Sequence, residues 1–142
     1  MANETQDRNS LSADERGTLS EAWRVRENAY APYSSYKVGA AIRDEQGKVH
    51  LGCNVENAVY TGTHAERSAI SALIASGTKQ IKFVTIVTED GGPPCGDCRQ
   101  HIWQFCRGNL DVQVICEDAH GRVEMFTIGE LLPKALALES SS

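Results

Sequence analysis

The order of elements along this chain predicts an α/β fold, a sheet covered by helices. Three observations carry that prediction. Helical stripes recur over residues 12–29, 63–76 and 96–106, five β-rich runs alternate with them, and turn residues separate each element from the next.

In chain order, residues 1–11 and 139–142 read as mobile ends of a single domain spanning residues 1–142. Leu19, Ala22, Trp23 and Arg26 stand at helical spacing, and Ser12 with Glu15 forms a capping box that starts the first helix. Pro32, Ser34 and Ser35 follow it as breakers. Residues 37–43 and 49–53 flank DEQG, a hairpin turn between two strands. In the first of these, Gly39, Ala40 and Ala41 leave so little bulk that a backbone or a ligand can approach closely. NVENAVY, at 54–60, leads into a helix over 63–76 that Gly77 ends. KFVTIVT, at 82–88, is β-branched and reads as a buried strand. A Gly/Pro loop then delivers Pro94 to a helix over 96–106. Strands at 112–116 and 123–126 flank a turn of acids and glycine, and Pro133 breaks a short helical turn within 128–138. No internal repeat or low-complexity tract is present.

A chain of 142 residues can bury a core without disulfides. Its five cysteines are an odd number, three of them more useful as thiols than as bridges, which points to a reducing, cytoplasmic setting. The stretch MANETQDRNS lacks the apolar core of a signal peptide, and no run approaches the ~20 apolar residues of a membrane span. A net charge of −5, with 14 basic residues against 19 acids, disfavours a nucleic-acid partner, because such binding depends on Lys and Arg neutralising phosphates.

The chemistry concentrates in THAERSAI at 63–70 and PCGDCRQ at 94–100. His64, Cys95 and Cys98 supply one nitrogen and two sulfurs, three ligands for a catalytic zinc that keeps its fourth tetrahedral position open. Cys95 and Cys98 are three apart, so on a first helical turn their sulfurs share a face, with Pro94 suited to the helix start. All three ligands then lie near positive helix ends that favour thiolates. Glu66 has two readings. Thr63 and Glu66 have capping-box spacing, but Glu66, Ile70 and Leu73 also form one stripe, which turns the carboxylate toward the core and a proton-transfer role. A redox pair and a four-cysteine structural zinc site are the alternatives for the CxxC. No second CxxC is present, and Cys106 and Cys116 read as small buried core residues.

HxE followed by PCxxC is the pattern of the zinc deaminases. With YSSYKVGAA, GCNVENAVY, HAER, CRQ and ELLP in order, the chain resembles the cytidine deaminase family in its short, single-domain form, from Tyr30 to Pro133. The resemblance implies a three-layer α/β/α sandwich with a mixed five-stranded sheet and a homotetramer with active sites at subunit contacts. It implies one zinc on His64, Cys95 and Cys98, with Glu66 as proton shuttle. By the same resemblance Asn54 and Glu56 hydrogen-bond ribose hydroxyls, Tyr36 packs beside the pyrimidine, the Ala65 backbone contacts the base, and Tyr60 completes a neighbouring subunit's site. The implied reaction converts cytidine or deoxycytidine to uridine or deoxyuridine and ammonia, in pyrimidine salvage. Glu56 would repel a phosphate at the sugar, which favours a free nucleoside.

Two residues depart from the family pattern. His64 stands where short members commonly carry cysteine, which removes one negative charge from the site and leaves Arg67 either offsetting thiolate charge or forming a salt bridge. Leu136 stands where related chains often carry an aromatic residue that stacks on the base. A leucine wall is more adaptable and suggests tolerance of N4-substituted cytidines. A tRNA adenosine deaminase, a deaminase of aminoacyl-nucleoside antibiotics such as blasticidin, and a non-catalytic zinc-stabilised binding module are the competing readings.

Overall fold

Alternation along the central strands decides the layers. The computed structural model describes residues 5–140. In β2 (Gly39–Asp44), β4 (Ile81–Val87) and β5 (Gln113–Glu117), the side chains of Ala40, Ile42, Val84, Ile86, Val114 and Cys116 enter one buried cluster, and those of Ala41, Phe83, Val87 and Ile115 enter another. Successive strand residues point to opposite faces, so a sheet buried on both sides needs helices on both. One face is covered by α1 (Ala13–Arg26) through Leu19 and Ala22. The other is covered by α2 (Ala65–Ala75), α3 (Gly96–Gln104) and the short α4 (Ile128–Leu131). The three-layer α/β/α sandwich is therefore present.

The sheet has six strands rather than the expected five. With β1 (Thr5–Asp7), β3 (Val49–Cys53) and β6 (Arg122–Thr127), the order is β1-β6-β5-β4-β2-β3. Only β4 and β5 are parallel, so the sheet is mixed as expected. The additional strand comes from residues expected to be mobile. Thr5, Gln6 and Asp7 pair with Glu124, Val123 and Arg122, closing the open edge of β6. Leu11 is buried against α1's core, and Arg8 reaches the buried Glu117 at 3.1 Å. Residues 1–4 and 141–142, the remainder of the expected mobile ends, lie outside the described residues.

The element boundaries moved for local reasons. The first hairpin strand begins at Gly39, not at residue 37, because the Val38 N–H donates to Asn54 Oδ1 at 2.9 Å and not to a neighbouring strand. The bulk-free stretch there serves a helix. A Cβ on Gly39 would lie 2.2 Å from the Ala22 carbonyl oxygen, so α1's backbone occupies the space. Gly52 does the same on the other face, where a Cβ would lie 2.3 Å from Ala65 O and 2.4 Å from Ala69 N. These two glycines bring α1 and α2 into backbone contact with the β2–β3 hairpin. No helix among the described residues is long and apolar enough to cross a membrane.

Candidate active site

Two helix N-termini converge on the site. His64 is the N-cap of α2, with extended backbone (φ −78°, ψ 153°) and no side-chain capping bond, so its imidazole is free for other work. The helix starts one residue later than the capping-box reading required. Glu66 is therefore the second helical residue, and it faces the interior at 5% exposure, in line with Ile70 at 4% and Leu73 at 0%. Reciprocal bonds between Val55 and Thr63 (Val55 N to Thr63 O, 2.9 Å; Thr63 N to Val55 O, 2.8 Å) fix the approach to His64.

Cys95 caps α3 in the same manner, again without a side-chain capping bond, and Cys98 lies on its first turn. Pro94 precedes the cap instead of occupying the first helical position. Its carbonyl is held by Arg99, which donates from Nε at 2.7 Å and also reaches Leu131 O at 3.0 Å. The loop after β4 thus delivers Cys95 at a fixed position beside His64.

The ligand atoms of His64, Cys95 and Cys98 all lie within 4.8 Å of one another. His64 Nδ1 is 3.2 Å from Cys98 Sγ and 3.5 Å from Cys95 Sγ. A tetrahedral zinc with bonds of about 2.0–2.3 Å requires ligand separations of roughly 3.5–3.8 Å, so the side chains are already near metal-binding spacing. The electrostatics agree. Burial, then the charge of Glu66 and the neighbouring Cys95, push the Cys98 thiol far above its usual range, with Arg67 alone opposing them. Two sulfurs and a carboxylate gathered with so little compensation favour a bound cation, and this donor set suits zinc. Burial also raises Glu66 above the usual carboxylate range, against opposing interactions with its own backbone N–H, His64, Cys98 and Arg67.

Of the two readings of Arg67, a salt bridge is present. Its guanidinium lies 3.1 Å from Asp97, which stands between the two cysteines in sequence, so the pair links α2 to α3. Arg67 still acts electrostatically on Cys98. Cys106 and Cys116 are core residues, at 0% and 1% exposure, and burial pushes both thiols up to about 12.

A cavity of about 540 Å³ opens beside these groups. Tyr36, Asn54, Glu56, Tyr60, Ala65 and Glu66 all line it, with His64 and Cys95. Its size falls in the ordinary range for small-molecule sites. Asn54 and Glu56 both have loop-holding bonds. Asn54 accepts from Val38 N and donates to Tyr36 O at 2.7 Å, while Glu56 accepts from the backbone N–H groups of Tyr33 and Ser34 at 3.0 and 3.1 Å and from the Ser34 hydroxyl. Each keeps spare capacity, since an amide nitrogen has a second proton and a carboxylate has about four acceptor positions. Tyr60, attributed by resemblance to a neighbouring subunit's site, lines the mouth of this chain's own cavity at 87% exposure. Leu136 is not among the lining residues; it is 68% exposed, and its carbonyl accepts from Gln100 Nε2 at 3.0 Å.

Sequence reasoning missed Thr88 and Asp90. Thr88 lines the cavity, and Asp90 accepts a 2.7 Å hydrogen bond from the Tyr36 hydroxyl. The only available signal was an Asp-Gly pair in a loop, which marks a turn and names no partner.

A sequence profile of the cytidine and deoxycytidylate deaminase zinc-binding region matches residues 12–114, a span that includes His64, Glu66, Cys95 and Cys98. The chain is 39% identical over 127 residues to the cytidine deaminase of Sporosarcina psychrophila, covering 87% of this chain and 92% of that one. It is 37% identical over 129 residues to the cytidine deaminase of Halalkalibacterium halodurans, covering 89% and 96%. The crystal structure of cytidine deaminase from Burkholderia pseudomallei superposes with a TM-score of 0.81 at 37% identity, covering 89% of this chain and 100% of that chain. With that profile across the metal site, relatives matched over most of their length and a shared fold, the chain belongs to the cytidine deaminase family of zinc-binding hydrolytic deaminases.

Proposed function

We propose that this enzyme hydrolyses cytidine and deoxycytidine at C4, giving uridine or deoxyuridine and ammonia, that it tolerates N4-substituted cytidines, and that it serves pyrimidine salvage. The observation that carries the reading is Glu66, buried beside the metal-ligand residues His64 and Cys95 on the wall of a nucleoside-sized cavity. A structural metal site has no use for a buried acid there.

His64, Cys95 and Cys98 would hold the zinc, which when bound supplies the Lewis acidity that lowers the pKa of a water molecule toward ~7. Glu66 moves the protons. As the water oxygen adds to C4, the carboxylate takes its proton and passes it to N3. Glu66 then carries the remaining hydroxyl proton to the amino nitrogen, ammonia leaves, and the C4 carbonyl forms. Burial suits Glu66 to both directions of transfer, because it brings a carboxyl closer to the working pH.

Positioning falls to the cavity wall. The Tyr36 ring packs beside the pyrimidine and the Ala65 backbone contacts the base. The second Asn54 proton and the remaining Glu56 acceptor position serve the ribose hydroxyls, and the Glu56 charge rejects a 3′-phosphate. A site that pairs with a hydroxyl discriminates strongly against analogues lacking it.

The chain is one deaminase domain that assembles as a homotetramer. Tyr33, Tyr60 and Leu136 support assembly by being 55%, 87% and 68% exposed. Leu136 lies outside its own chain's cavity, so its role as a wall for N4 substituents belongs to a neighbouring copy. The five unpaired thiols favour a cytoplasmic location.

The test is the ultraviolet absorbance change with cytidine, deoxycytidine and an N4-acyl cytidine in parallel, with zinc measured on the same sample. Turnover of cytidine or deoxycytidine with about one zinc per chain is expected. No turnover of either by zinc-loaded protein refutes the reading. Fast cytidine turnover beside an inert N4-acyl cytidine refutes the N4 tolerance alone.

A further inference from the structure

Tyr36 is held at three points. Its backbone N–H donates to the Ser34 hydroxyl oxygen at 3.0 Å, its carbonyl accepts from Asn54 Nδ2, and its phenol donates to Asp90 Oδ1. The first two bonds fix where the side chain starts. The third fixes where the ring ends.

Asp90 is itself held firmly. Besides the phenol, Oδ1 accepts from the Thr88 hydroxyl at 3.1 Å and from Gly92 N at 3.2 Å. Thr88 Oγ1 in turn accepts from the N–H groups of Gly91 and Gly92 at 2.8 and 3.1 Å. Gly91 has φ +76°, a conformation that strains any residue with a Cβ, so the loop is shaped for this closed set of bonds. Three donors on one oxygen, the Tyr36 phenol foremost, hold the Asp90 carboxyl below its usual range, so it remains a charged acceptor at neutral pH.

The same loop continues through Pro93 and Pro94 to Cys95. Tyr36 lies 54 residues from Asp90 in sequence, lines the cavity and is 39% exposed. A phenol so exposed and free at its tip would sample several orientations, and a ligand packing against it would have to order it. We infer that Asp90 is a positioning residue for the base-binding wall: through its hydrogen bond to the Tyr36 hydroxyl it holds the ring in place beside the metal-ligand loop before substrate arrives. The inference rests on the reading that Tyr36 packs against the pyrimidine. Its expected consequence is in binding, because the Asp90–Tyr36 bond orients a wall of the cavity and Asp90 itself is not among the residues that line it.

The test compares zinc-loaded wild type with Tyr36→Phe, Asp90→Ala, Asp90→Asn and the Tyr36→Phe/Asp90→Ala double variant. Steady-state kinetics on cytidine are paired with calorimetric binding of uridine. Tyr36→Phe and Asp90→Ala are each expected to raise KM and weaken uridine roughly three- to tenfold, the effect of losing one partly exposed hydrogen bond, with kcat within about twofold. Asp90→Asn keeps an oxygen that accepts from the phenol and should stay within about twofold of wild type. The double variant should be no worse than the poorer single, because both remove the same bond. Unchanged KM and uridine affinity in both single variants overturn the inference, as does a double variant whose losses multiply. If Asp90→Ala fails to fold, Tyr36→Phe removes the bond from the other side and decides the matter. Wild-type turnover of cytidine tests the functional reading separately, and the uridine affinities test the clamp without any turnover.

Discussion

Glu66→Gln separates a proton shuttle from a packing residue. Glu66 is 5% exposed, so the change must be isosteric if it is to report on chemistry and not on a cavity. Glutamine keeps the volume and one acceptor oxygen and removes the ability to take and release a proton. One positioned acid–base group contributes about 10²–10⁴ in rate. Glu66 is asked to act three times, on water, N3 and the departing amine, which places the expected loss at ~10⁴ or more. At about 1.36 kcal/mol per tenfold, that is roughly 5 kcal/mol of transition-state stabilisation. Stability should move the other way in the metal-stripped protein. Burial disfavours the Glu66 carboxylate, and a neutral amide avoids that cost, so the stripped variant should melt at or above the wild type. The assay is cytidine turnover with zinc content on the same sample, followed by calorimetric melting after chelation. Activity within tenfold of wild type with zinc bound would falsify the shuttle role. A lower melting temperature with unchanged turnover would mark Glu66 as packing only.

Gly52→Ala should force α2 away from β3, because the new methyl meets backbone at Ala65 and Ala69, neither of which can swing aside. A loss of about 1–3 kcal/mol in urea unfolding, with weaker zinc binding because His64 caps that helix, is expected; wild-type stability would show that the hairpin and helix separate freely. Chelation should change thiol reactivity selectively. Cys95 is exposed and should react with a disulfide reagent only once zinc is removed, whereas Cys106 and Cys116, buried and pushed up to about 12, should stay silent until unfolding. Equal reactivity of Cys95 with and without zinc would remove it from the ligand set.

The site and the fold were legible to different depths. Glu66, Ile70 and Leu73 fall on one stripe because a helix repeats every 3.6 residues, and all three are buried together. His64 and the CxxC could be paired without a structure because HxE followed by PCxxC is the pattern of the zinc deaminases, and zinc's preference for nitrogen and sulfur ligands agrees with it. Element order implied a sheet covered by helices, the family resemblance implied three layers, and the alternation of strand side chains between two buried clusters shows them. β1 was illegible because Thr5, Gln6 and Asp7 are exposed and polar; what makes them a strand is the open edge of β6, more than a hundred residues later in the chain.

What the sequence determined by itself is the candidate donor set and the acid near it, because His-x-Glu and Cys-x-x-Cys are legible as residue types at short spacing and together form a pattern shared with the zinc deaminases. What only the tertiary structure decided is who holds those residues in place. Asp90 reaches Tyr36 across 54 positions, Arg67 reaches Asp97 from another helix, and α1 fills the space above Gly39. Such contacts are set by how the chain closes on itself in three dimensions, and a polar side chain in a loop carries no mark of the partner that closure will bring to it.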